Sequence, residues 1–185
     1  MISAWQEKIA LHDDAASFEQ LYLHFSPELT RFATSFLMDH SLAEDIVADT
    51  FVTLWKKRST LQAIDNLRVY LYSCIRNASL NYIQHHQKRM FFPFDQLDVP
   101  LESYFDTSNP EQQYISRELH DAAARAVEAL PPKCRMIFRL AREEGLRYKE
   151  IASILNISVR TIDSQVAIAL KRIHAAIAPY LVRYP

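Results

Sequence analysis

A single glycine in 185 residues, Gly145, limits what this chain can fold into more than any other feature. Tight β-hairpins draw on glycine for the positive backbone angles of their two-residue turns. A chain with a single glycine is poor in such turns. Helices need none inside them, and a hydrophobic content of 49% is ample for packed helix faces. The expectation is an all-α fold. At this length it holds one or two domains. Three prolines, Pro93, Pro100 and Pro110, fall in a stretch from Phe91 to Gln113 that has no helical period. We expect two small helical domains, residues 1–90 and 114–185, joined by an irregular acidic linker over residues 91–113.

In the first domain, Asp13 or Asp14 can cap a helix through Phe18, Leu21, Tyr22 and Phe25, and Pro27 fits the first turn of the next. Ser41 and Glu44 have the spacing of a capping box that opens a helix running to about Lys57. Its inward stripe is Ala43, Val47, Phe51 and Leu54, with Trp55 beside it; Asp45, Ala48, Asp49, Val52 and Lys56 face outward. Residues 58–66 break the pattern and read as a loop. A long helix follows from Leu67, with Leu71, Cys74, Ala78 and Tyr82 inward.

The second domain ends in YKEIASILNISVRTIDSQVAIALKR, residues 148–172. Asn156 tolerates the left-handed turn that must separate two helices, and Ser158 suits the N-cap of the second. Val159, Ile162, Val166, Leu170 and Ile173 form one stripe, with Arg160, Ser164, Ile168 and Lys171 opposite and Thr161 and Arg172 flanking. A helix that is small and basic outward, braced by a shorter one, suits the major groove of DNA.

A net charge of −1 hides a segmented pattern. Residues 10–50 carry eight acids against one base, residues 56–89 seven bases against one acid, and residues 114–185 twelve bases against seven acids. Residues 90–113 carry five acids and no base. A chain with both a nucleic-acid face and a protein partner needs this asymmetry. Cys74 and Cys134 read as small core residues, and the seven His lack ligand spacing. No cofactor or metal is expected. No apolar run is long enough to span a membrane, and the N-terminus lacks a signal-peptide core, so the expected location is the cytoplasm.

Three stretches resemble the extracytoplasmic-function group of bacterial sigma factors. SLAEDIVADTFVTLWKK resembles that family's polymerase-binding helix, NLRVYLYSCIRNASLNYIQHHQKR its −10 reading helix with Arg76-Asn77, and residues 129–173 its −35 reading domain. The resemblance implies a subunit that is not an enzyme, takes no small-molecule substrate and does not insert in a membrane. It would bring core RNA polymerase to promoter DNA and help open it. Many relatives are held inactive by an anti-sigma factor, a partner left open here. The implied −35 contacts are Arg160, able to bond guanine bidentately, with Thr161, Ser164, Gln165, Ile168, Lys171 and Arg172. The implied −10 site is the loop over residues 59–66 with the following helix: Leu61 as apolar wall, Asn77 as amide, and Asn66, Arg68, Arg76, Lys88 and Arg89 around them. Polymerase would meet Asp45, Ala48, Asp49, Val52 and Lys56. Three positions depart from the family pattern: Ala48 stands where Gln is common, Arg147 where Ser or Thr often caps, and Tyr70 where Trp is frequent.

Two other classes share parts of this pattern. The last stretch also resembles the helix-turn-helix of dimeric response regulators, but residues 1–110 lack the alternating strands of a receiver domain. For an enzyme, Glu44 with Asp45 or His85 with His86 are adjacent pairs, and neighbours on a helix point to different faces.

Overall fold

The computed structural model describes residues 2–86 and 113–183. The expected linker lies outside them, apart from Gln113, which begins a helix. All secondary structure among the described residues is helical: α1 (Ile2–His12), α2 (Ala15–Leu37), α3 (His40–Lys56), a 3-10 segment (Arg58–Ala63), α4 (Leu67–His86), α5 (Gln113–Glu128), α6 (Pro132–Arg142), α7 (Tyr148–Leu155) and α8 (Val159–Arg183). The contacts divide the chain into two compact units, the first built from α1–α4 and the second around α5, α6 and α8.

In the first unit α2 is the central element, packed against α1, α3 and α4. Leu21, Phe25, Leu29, Phe32, Ala33 and Phe36 give it a continuous buried face. Aromatic pairs seal the contacts. The Phe18 and Trp55 centroids lie 4.9 Å apart and those of Tyr22 and Phe51 5.0 Å, joining α2 to α3; Phe32 and Tyr72, at 4.9 Å, join it to α4. Such pairs add about 0.5–1.5 kcal/mol each beyond the area they bury.

Several local expectations are corrected. Pro27 does not start a helix but lies inside α2. An interior proline costs about 3 kcal/mol, and the face that stays buried on both sides of it outweighs that cost. The cap of α3 is Asp39, whose carboxylate accepts from the Leu42 amide at 3.1 Å, and not Ser41. Met38, at φ 56°, ends α2 one residue earlier and leaves Asp39 extended, the conformation an N-cap needs. Of the two candidate caps for α2, Asp14 serves, bonding the Ala16 amide and the Ser17 hydroxyl. Asp13 takes the left-handed turn at φ 52°, and its bond from the Arg58 guanidinium holds its carboxyl below the usual range. Residues 58–63 form a 3-10 helix rather than a loop. The buried face of α4 is Leu67, Leu71, Tyr72, Ile75 and Ser79, one position round from the expected stripe, and Cys74, Ala78 and Tyr82 are half-buried.

In the second unit α8 packs on α5 and α6. Leu130, Cys134 and Ala169 form a core cluster flanked by Val127, Phe138 and Ile173. Glu128, at the end of α5, faces two guanidiniums of α6: Arg135, nearly buried, at 3.3 Å, and Arg139. Gly145 carries a positive φ of 65°, and the Leu146 amide returns to the Leu140 carbonyl at 3.0 Å, closing α6 as its position predicts.

Candidate nucleic-acid interface

The turn between α7 and α8 forms as its residues require. Asn156 sits at φ 55°, and Ser158 Oγ accepts from the Thr161 amide at 3.0 Å. Arg147 does not cap α7 with a hydroxyl. Glu150 bonds the Arg147 backbone N–H at 2.8 Å and its guanidinium at 2.8 Å, so the helix start is satisfied from the other side.

Ile162, Val166 and Ala169 bury one stripe of α8. Val159 and Leu170, expected inward, are exposed by 42% and 44%. A repeat of 3.6 explains the shift: the stripe runs 162, 166, 169, 173, and positions 159 and 170 fall at its edges. The opposite face is open. Arg160, Ser164, Ile168, Lys171 and Arg172 are exposed. Arg160 to Ile168 spans about 12 Å at 1.5 Å per residue, the scale of a major groove. Ser164 Oγ donates to the Arg160 carbonyl at 2.9 Å, so this hydroxyl lies against its own helix and leaves room for close approach. Thr161 is half-buried, with its hydroxyl at 2.8 Å from Ser158 Oγ. Gln165 is half-buried too, and its backbone carbonyl accepts from the Cys134 thiol at 3.3 Å. Both flank the open face and also hold the turn and the core.

The first unit distributes its expected −10 residues unevenly. Asn66 caps α4, its side chain accepting from the Val69 amide at 3.1 Å. Arg68 is held by Glu28 through two hydrogen bonds, one of 3.0 Å, and lies 5.8 Å from the Tyr72 ring centroid. Asn77 is exposed and accepts from Arg76 at 3.2 Å. Leu61 is a correction: its side chain is fully buried, so it is core under the 3-10 segment and no open wall for a base. The exposed residues of the segment and the turn after it are Ser59, Thr60, Gln62, Ala63, Asp65 and Asn66; of these, Gln62, Ala63 and Asp65 flank the buried Leu61 on the side that leads into α4. Lys88 and Arg89 lie outside the described residues.

On α3 the five outward residues Asp45, Ala48, Asp49, Val52 and Lys56 are all exposed, Val52 by 51%. Sequence reasoning missed what lies beside them, a groove of about 430 Å³ between α2 and α3. Phe18, Tyr22, Phe51 and Trp55 line it together with Ala48 and Val52. The aromatic run of α2 was visible, but it read as core. An acidic stripe along an apolar groove suits a helix that offers both basic and apolar side chains.

Among the described residues no group of His, Cys, Asp and Glu is placed to hold a metal ion. Cys74 and Cys134 are separate thiols, and burial pushes both up from the usual thiol range. No described helix is long and apolar enough to cross a membrane.

Two family models match the chain in order: Sigma-70 region 2 over residues 21–89 and Sigma-70, region 4 over residues 120–173. The chain is similar to the ECF RNA polymerase sigma-E factor of Escherichia coli K12, with 24% identity over 177 residues, 92% of this chain and 91% of the relative. It is similar also to the RNA polymerase sigma-H factor of Pseudomonas aeruginosa, with 24% identity over 91% of this chain and 90% of the relative. Among solved structures, the fold matches CnrH in complex with the cytosolic domain of CnrY, at TM-score 0.56 and 19% identity over 96% of this chain and 97% of that one. It matches RpoE in complex with the anti-sigma factor NepR from Bartonella quintana at TM-score 0.59 and 24% identity, over 87% of this chain and 96% of that one.

Proposed function

This chain belongs to the sigma-70 family, in its extracytoplasmic-function group, and from that premise we propose how its two units share the work of transcription initiation. It is an RNA polymerase sigma factor, directing core polymerase to promoters and helping to open them. The observation that carries this reading is the occurrence of regions 2 and 4, in order, in one chain. It acts as an initiation factor and not as an enzyme, in the cytoplasm where polymerase and promoter meet. An anti-sigma factor is a partner class for it, as NepR is for RpoE.

Residues 1–90 make the polymerase-binding and −10 reading unit, and residues 114–185 the −35 reading unit. On α3, Asp45, Ala48, Asp49, Val52 and Lys56 meet polymerase, and the groove beside them takes an apolar side chain of the same partner. On α8, Arg160 reads guanine, Ile168 touches a thymine methyl, and Lys171 and Arg172 hold phosphates. Asn77, with the exposed residues of the 3-10 segment and the turn after it, takes the unpaired −10 base.

Run-off transcription with purified bacterial core polymerase over a promoter library tests the whole reading. Promoter-specific transcripts are expected only when the protein is added. Stable homodimers that bind palindromic DNA without polymerase, and no added transcripts, would instead mark an operator-binding regulator.

Two residue-level outcomes follow. Arg160→Ala costs about 1–3 kcal/mol at one promoter position and relaxes base preference there, whereas Lys171→Ala weakens binding about equally on all sequences. Binding titrations on a −35 duplex series separate the two; an unchanged preference in Arg160→Ala would place the recognition face elsewhere. Asn77→Ala lowers permanganate reactivity at the −10 element and spares −35 duplex binding. Normal melting in that variant would remove Asn77 from the site.

A further inference from the structure

Helix α1 precedes the matched region 2, which begins at residue 21. It nevertheless packs on the 3-10 segment, and one polar side chain makes the junction. Gln6 is 7% exposed, and its Nε2 donates to the Leu61 carbonyl and to the Ile64 carbonyl, each at 3.0 Å. A side-chain amide nitrogen carries two hydrogens. Gln6 therefore has one for each end of the last 3-10 turn. An apolar residue here would take this donor from the part-buried Ile64 carbonyl and would leave the buried Leu61 carbonyl with only the Ile64 amide, at 3.1 Å. Ile64 is extended, at φ −93° and ψ 105°, where the chain leaves the 3-10 helix, and Asn66 caps α4 two residues later. The backbone is thus held on both sides of the exposed Gln62, Ala63 and Asp65.

We propose that Gln6 is a positioning residue for −10 base selection: it fixes the backbone of the segment that presents Gln62, Ala63 and Asp65 to an unpaired base. The proposal rests on reading that segment as the base-capturing one. Capturing a base costs its stacking, a cost every base shares, and a segment free to shift its polar groups to suit whichever base enters would lose discrimination between bases. A segment already fixed by α1 does not.

The test uses holoenzyme assembled from the full chain and core polymerase, on a promoter selected by the wild-type holoenzyme from a randomised library. Opening is measured by permanganate reactivity at thymines elsewhere in the melted region, with each of the four bases placed in turn at every −10 position. Gln6→Met keeps the volume and removes both donors. It should lower discrimination between bases at one −10 position about three- to tenfold, with −35 preference and core affinity unchanged. Gln6→Asn keeps the amide on a shorter stem and replaces Gln6→Met if that variant fails to fold; a smaller loss is expected from it. Equal loss of opening for all four bases would mean that Gln6 only stabilises the fold, and would overturn the proposal. The double variant Gln62→Ala with Asp65→Ala distinguishes the underlying reading. Unchanged discrimination in it would overturn base capture by this segment, and the proposal with it. Lost discrimination in it beside normal Gln6 variants would overturn the brace alone.

Discussion

Asp45→Lys combined with Asp49→Lys weakens core polymerase binding roughly a hundredfold, about 2.8 kcal/mol, and leaves the fold intact. Both carboxylates are exposed on the outward face of α3, one turn apart, where like charges disfavour an isolated helix by a few tenths of a kcal/mol. A basic partner removes that penalty. Reversal turns attraction into repulsion at two positions, and like-charge juxtaposition across an interface costs several kcal/mol. Association slows most at low ionic strength, because screening shortens the reach of exposed charges as salt rises. The measurement is a core-binding titration at two ionic strengths with circular dichroism as the folding control. Wild-type affinity in a folded double variant would move the polymerase site off this helix.

Glu128→Ala destabilises the second unit by about 1–3 kcal/mol, because it removes the carboxylate facing Arg135 and Arg139, while Arg135 keeps the backbone carbonyl of residue 128 and Arg139 keeps Glu143 at 3.6 Å. In a unit this small that corresponds to a fall of about 5–20 °C in its unfolding midpoint. Glu128→Gln keeps an acceptor and should lose less. Thermal unfolding of the full chain, paired with −35 duplex binding, checks both. An Ala variant as stable as wild type would mean that solvent already screens this cluster.

The features that sequence made legible are those set by one or two neighbouring residues. Asn156, Ser158 and Gly145 each announce a turn or a cap, and each adopts the conformation its chemistry favours. The outward face of α3 was legible for a similar reason, since five positions spaced at helical steps over three turns leave little choice. Features decided by partners far along the chain were not. Gln6 meets its carbonyls 55 and 58 residues away, and although Ile2, Trp5 and Ile9 recur at helical spacing, that spacing does not show what the polar Gln6 beside them will meet. Leu61 looked available because its loop is short and polar around it; the pairing of that loop with α1, far away in sequence, is what buries it. Pro27 misled because local preference was weighed without the long buried face that carries α2 through it.

The tie between Arg68 and Glu28 bears on how promoter binding responds to salt. Protein cations strengthen DNA binding largely by displacing condensed counterions, and each phosphate neutralised adds about 0.7 to the log–log slope for single strands and 0.9 for duplex. Arg68, held by an internal carboxylate 40 residues earlier in the chain, brings no unbalanced charge to that exchange. If α4 reads the opened promoter as proposed, its electrostatic footprint there is smaller by one cation than its sequence suggests, and a larger share of its affinity comes from contacts that salt does not erase.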